Sequence, residues 1–147
     1  MRCYLARPLY PVFVDLRSDR ARPRVLVIDD AEDNRLIYAF FLEHDGFDVE
    51  VAADGEAGVA AAQQGDFDVI VMDLTMPKLD GWEATRQLKG DARTSAIPII
   101  ILTGYPSTSG EREAHAAGSD RYLTKPCLPE TLAGEIRHVL ALRTPRS

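Results

Sequence analysis

The chain has 147 residues, 46% of them hydrophobic and 27% charged, with a formal net charge of −6. That length suits one compact domain and is short for two, and the composition is that of a globular rather than a disordered or membrane-spanning chain. The charge is uneven: residues 1–24 hold six arginines against Asp15 and Asp19, a net +4, so the rest carries −10, a balance that argues against a nucleic-acid surface and favours divalent cations or basic partners.

Residues 1–23 read as a basic N-terminal extension, punctuated by Pro8, Pro11 and Pro23, with a possible short strand from Tyr10 to Val14. The domain proper is expected to span residues 24–143, with 144–147 as a tail. Val25-Leu-Val-Ile28 is a short, β-branched apolar run ending in Asp29-Asp30. A helix is expected from about Asp33 to His44, with Leu36, Ile37, Phe40 and Phe41 as its apolar face and Gly46 as a left-handed cap. Phe47, Val49 and Val51 alternate with acids, as in a strand buried mainly on one side. Ala57 to Gln64 reads as an Ala-rich helix closed by Gly65.

Asp68 to Asp73 is apolar on both faces between its two aspartates, the pattern of a central parallel strand, and turn residues follow at Met76-Pro77 and Asp80-Gly81. A helix over Gly81 to Lys89 should pack through Trp82, Thr85 and Leu88. Ile97 to Leu102 is the fourth strand. Thr108 to Glu111 matches a capping box, which predicts a helix from near Ser109 to Gly118. Arg121 to Thr124 is a fifth strand, followed by Lys125-Pro126. Pro129 opens a last helix with Leu132, Ile136, Val139 and Leu140 as its stripe. The chain ends soon after, so output through protein contact rather than an attached domain is expected. No apolar run approaches membrane-spanning length. Cys3 and Cys127 form no framework or metal motif, which leaves a reducing cytoplasm as the expected location.

Five strands alternating with five helices predict an α/β, flavodoxin-like doubly wound fold: a five-stranded parallel sheet in order 2-1-3-4-5 with helices on both faces. The carboxyl ends of strands 1 and 3 then meet at the switch point, bringing Asp29, Asp30 and Asp73 to one cleft flanked by Thr103 and Lys125. Three carboxylates repel one another. Lys125 offsets one charge, and a hard divalent cation such as Mg²⁺ would offset more. A strand-end carboxylate at such a site can attack phosphorus, with Thr103 placed to hydrogen-bond a phosphoryl oxygen.

VLVIDD at Val25 to Asp30, VMDLTMPKLDG at Val71 to Gly81, ILTG at Ile101 to Gly104 and YLTKP at Tyr122 to Pro126 together resemble the receiver domain of bacterial two-component response regulators. The resemblance covers more than three quarters of the chain. It implies a phosphorelay switch rather than a turnover enzyme: a sensor histidine kinase or histidine phosphotransfer protein donates a phosphoryl group, and a downstream protein reads the result. It further implies Asp73 as phosphoacceptor, Asp29, Asp30, Asp73 and the Thr75 carbonyl as Mg²⁺ ligands, Thr103 and Tyr122 as switch residues, Lys125 as phosphate partner, and a cis peptide before Pro126. Thr75 and Tyr105 would tune the lifetime of the acyl phosphate. A dehalogenase-type phosphatase would need an acid where Thr75 stands. A flavodoxin would need a phosphate-cradling loop where Asp29-Asp30 stand. A phosphorylation-independent module on the same fold would leave the matched receiver positions unused.

Overall fold

The computed structural model describes residues 22–74, 76, 79–104 and 106–142. The possible strand at Tyr10 to Val14 therefore lies outside the described residues. Five strands, β1 (Arg24–Ile28), β2 (Asp48–Ala52), β3 (Val69–Asp73), β4 (Ile99–Thr103) and β5 (Arg121–Thr124), alternate with α1 (Glu32–His44), α2 (Gly55–Gln64), α3 (Gly81–Lys89), α4 (Gly110–Ala117) and α5 (Pro129–Leu142). All pairings are parallel, and the order is β2-β1-β3-β4-β5. The sheet is therefore the doubly wound one expected from the alternation.

The strand alternation sorts two cores. Val25, Val27, Val69, Val71, Ile100 and Leu102 face Tyr38 and Leu42 of α1 and Leu132, Ile136 and Val139 of α5. Leu26, Ile28, Ile70, Met72, Ile99 and Ile101 face Val59 and Ala62 of α2, Ala84 and Leu88 of α3, and Ala114 of α4. β1, β3 and β4 are buried on both faces, which is why they read as continuous apolar runs. No helix among the described residues is long and apolar enough to cross a membrane.

Two local expectations are corrected. The face of α1 that packs inward carries Tyr38 and Leu42, not the Leu36, Ile37, Phe40 and Phe41 stripe, whose members are 61%, 49%, 58% and 42% exposed. The Thr108 to Glu111 capping box does not form: Ser109 is the cap residue without a side-chain cap bond, and its hydroxyl donates instead to Glu113 Oε2 at 3.2 Å. Asp54 and Asp80 are the side-chain caps, accepting from the Ala57 and Glu83 amides. Gly46, at φ +103°, has the left-handed conformation expected after α1.

Candidate functional site

The carboxyl ends of β1 and β3 lie side by side, because Ile28 pairs with Met72. Asp29 follows β1 directly, and Asp73 closes β3. Ligand oxygens of Asp29, Asp30 and Asp73 all lie within 4.8 Å of one another. Asp29 and Asp73 are buried and Asp30 is exposed, so the cluster opens to solvent on one side.

The chain fixes Asp29 from several directions. Its Oδ1 accepts the Ala31 amide at 2.9 Å, a local turn that launches α1. Its Oδ2 accepts Lys125 Nζ at 3.0 Å and Asn34 Nδ2 at 3.3 Å. Arg35 donates to the Asp29 carbonyl at 2.8 Å. Asn34 and Arg35 sit one turn into α1, and sequence reading passed over both. The signal that could have found them is their spacing after Asp29, since the first helical turn folds back over the strand end it follows.

Lys125 reaches the cluster from the loop after β5. Its amide donates to the Thr103 carbonyl at 2.7 Å, the Lys125–Pro126 peptide is cis, and its ammonium lies 3.7 Å from Asp73 Oδ1. Tyr38 tethers the same loop to α1 by donating to the Cys127 carbonyl at 3.1 Å. Burial, with smaller contributions from Cys127 and Asp29, pushes the Tyr38 hydroxyl up to about 12. Burial, then Glu135, also raises the Cys127 thiol above its ordinary value, which keeps it a poor nucleophile.

Thr103 ends β4, buried one residue beyond Leu102, the partner of Asp73 across the sheet. Thr103 and Tyr122 line one cleft of about 310 Å³ with Leu74, Met76 and Gly110. Tyr122 is half-buried, and a Cβ on Gly110 would overlap its hydroxyl. At Gly81 a Cβ would overlap the Asp73 carbonyl, so only glycine lets α3 start this close to the strand end. The structure thus gathers Asp29, Asp30, Asp73 and Lys125 into one cluster and sets Thr103 with Tyr122 beside it. Thr75 and Tyr105 lie outside the described residues.

The donor set suits a small, hard cation: three carboxylates, retained solvent access, and charge left over after one lysine. Such a pocket joins a candidate nucleophile to the means of holding a phosphoryl group.

The comparisons with known proteins agree with this geometry. The chain is 43% identical to protein PilH of Pseudomonas aeruginosa over 118 residues, covering 80% of this chain and 98% of that one. Several other curated relatives are longer, and the chain spans 49% or less of them. Among solved structures it resembles chemotaxis protein CheY4 of Vibrio cholerae, with a TM-score of 0.77 and 35% identity over 81% of this chain and 99% of that one. It also resembles the receiver domain of sensor histidine kinase PA1611 from Pseudomonas aeruginosa, which has a magnesium ion coordinated in its active-site cleft (TM-score 0.75, 31% identity, 82% of this chain and 99% of that one). The sequence profile of the response regulator receiver domain matches residues 25–137, and the chain belongs to that family, the phosphoacceptor domains of two-component signalling.

Proposed function

We propose that Asp73 is the phosphoacceptor of a receiver domain spanning residues 24–143, with residues 1–23 as an arm and 144–147 as a tail. The donor is the phosphohistidine of a sensor histidine kinase or histidine phosphotransfer protein. A Asp73 carboxylate oxygen attacks phosphorus, the phosphorus–nitrogen bond breaks, and the imidazole leaves with the bonding pair and takes up a proton. The product is an acyl phosphate on Asp73. Asp29, Asp30, Asp73 and the Thr75 carbonyl would hold Mg²⁺, which when bound offsets charge on the phosphoryl oxygens.

Lys125 supplies a positive charge from the chain itself, and the Thr103 hydroxyl donates to a phosphoryl oxygen. The modification replaces a charge of −1 by one of about −2. Moving Thr103 toward it opens the cleft shared with Tyr122, and Tyr122 turns inward. The α4–β5–α5 face changes, and a downstream protein reads it as a shift between two packings. Without a second substrate or steady turnover, this is a switch rather than an enzyme, operating in the cytoplasm through protein contacts and not through nucleic acid.

The observation that carries this reading is the convergence of Asp29, Asp30, Asp73 and Lys125, with Lys125 Nζ 3.0 Å from Asp29 and 3.7 Å from Asp73. Incubation with acetyl phosphate and Mg²⁺, followed by intact mass measurement, tests it. A hydroxylamine-labile phosphoryl adduct should form on the wild type and be absent from Asp73→Asn. An adduct that survives that substitution, or continuous hydrolysis of phosphate esters, would overturn the assignment.

A further inference from the structure

The loop that carries Lys125 has little apolar packing to fix it. Pro126 and Leu128 are exposed, and Lys125 and Cys127 are only partly buried. Polar ties set its place instead. The Lys125 amide donates to the Thr103 carbonyl at 2.7 Å, which binds the loop to β4. The Lys125 ammonium meets Asp29 Oδ2 at 3.0 Å. The Tyr38 hydroxyl donates to the Cys127 carbonyl at 3.1 Å, which binds the loop to α1.

Packing explains the Tyr38 ring but not its hydroxyl. Tyr38 is buried in the core that includes Leu42, Leu132 and Ile136. A phenylalanine would fill that space without taking a hydroxyl out of water, a transfer that costs free energy unless the group is bonded. The Cys127 carbonyl meets that need, two residues beyond Lys125. Burial holds the hydroxyl at about 12, so it stays protonated and able to donate at neutral pH. Asn34 and Arg35, one turn earlier on the same flank of α1, donate to Asp29 Oδ2 and to the Asp29 carbonyl. One helix thus grips both the carboxylate that receives the ammonium and the loop that delivers it.

We propose that Tyr38 is a positioning residue for Lys125, holding the loop through the Cys127 carbonyl so that the ammonium faces Asp73 as well as Asp29. The ammonium is placed unequally, 3.0 Å from Asp29 and 3.7 Å from Asp73. A loop released from α1 lets it leave the neighbourhood of Asp73, where phosphoryl oxygens gather charge during transfer. The effect on transfer rests on Asp73 being the phosphoacceptor; the effect on the loop does not.

Tyr38→Phe, compared with the wild type in the full chain, tests this in two ways. With acetyl phosphate as donor, an Asp73 oxygen bonds to phosphorus as the phosphorus–oxygen bond to acetate breaks and acetate leaves. The limiting rate of adduct formation should fall about fivefold to tenfold, the rate equivalent of one hydrogen bond. The half-saturating acetyl phosphate concentration should hold, as should Mg²⁺ affinity read from the Asp30 and Asp73 amide resonances, because the carboxylates and their α1 ties are untouched. Without any donor, the Lys125 ammonium resonance should shift, and iodoacetamide should alkylate the Cys127 peptide severalfold faster. Val139→Ala loosens the same core from α5 but keeps the Tyr38 bond, and should leave the limiting rate near that of the wild type. A wild-type limiting rate in Tyr38→Phe would overturn the proposal, as would an equal slowing in Val139→Ala or a loss of Mg²⁺ affinity that matches the loss of rate. Unchanged Lys125 and Cys127 signals would also overturn it. A wild type that forms no adduct overturns the Asp73 assignment instead, and the donor-free signals still decide whether Tyr38 holds the loop.

Discussion

Lys125 answers to two carboxylates, 3.0 Å from Asp29 and 3.7 Å from Asp73, and with Asp30 the cluster still keeps two negative charges in excess. The two kinds of substitution should therefore move stability in opposite directions. Lys125→Met removes the cation that faces two buried carboxylates and should cost about 2–3 kcal/mol, whereas Asp73→Asn removes one source of repulsion and should add about 1 kcal/mol. Urea unfolding in the presence of a chelator checks both, and equal signs for the two variants would contradict this account. Tyr38 gives a prediction in pH. Its hydroxyl has an ordinary value of 10.0 and is held at about 12 in the fold. Between those values the unfolded chain has released a proton that the folded chain keeps, so rising pH favours unfolding. This contribution is complete below pH 10 and lost as pH rises through 12, at most about 3 kcal/mol. Unfolding free energies measured across that window should fall more steeply for the wild type than for Tyr38→Phe. The charged residues of the cluster were legible in the sequence because each closes or follows a strand. Asn34 and Arg35 were not, because their importance comes from how the first turn of α1 folds back onto Asp29.

At the scale of elements, periodicity placed the five strands and five helices among the described residues but misjudged which side of α1 is inside. Leu36, Ile37, Phe40 and Phe41 are the more apolar set, yet Tyr38 and Leu42 pack against β1, β3 and α5. A helix turns toward the sheet the face that its connections permit: the Asp29–Ala31 turn at one end and the Tyr38 hydrogen bond to Cys127 set that rotation. Hydrophobicity alone cannot choose between two apolar stripes. α4 differs for another reason, since Ser109 rather than Thr108 is its cap residue and the Ser109 hydroxyl bonds Glu113 instead of the backbone. α4 also meets Tyr122 directly. A Cβ at Gly110 would overlap the Tyr122 hydroxyl and come within 3.0 Å of its Cζ. The ring is the end of a side chain and can yield, so Gly110→Ala should displace Tyr122 at a cost of about 1–2 kcal/mol. Changed Tyr122 ring resonances with the α4 backbone signals largely kept would agree; an unmoved ring with displaced α4 signals would not.

Across the whole molecule, strand alternation divides labour between the two faces of the sheet. Asp73 continues the parity of Val69 and Val71, which pack toward α1 and α5. Thr103 continues the parity of Ile99 and Ile101, which pack toward α2, α3 and α4, and Tyr122 packs against that same core. Asp73 and Thr103 thus begin on opposite sides and come together only at the carboxyl edge, where the strands end and the alternation no longer separates them. A change in charge at Asp73 can therefore reach the far core by a short route: through Thr103, across the cleft it shares with Tyr122, to the start of α4 at Gly110. If this route carries the signal, Thr103→Ala separates modification from response. The variant keeps Asp29, Asp30, Asp73 and Lys125, so it should still form the acetyl phosphate adduct. The beryllofluoride-induced shifts of α4 and β5 resonances, large in the wild type, should shrink severalfold, while those around Asp30 and Lys125 persist. Full α4 and β5 shifts in Thr103→Ala would mean that the response crosses the sheet by another path, with the Lys125 loop, bonded to the Thr103 carbonyl and leading toward α5, next in line.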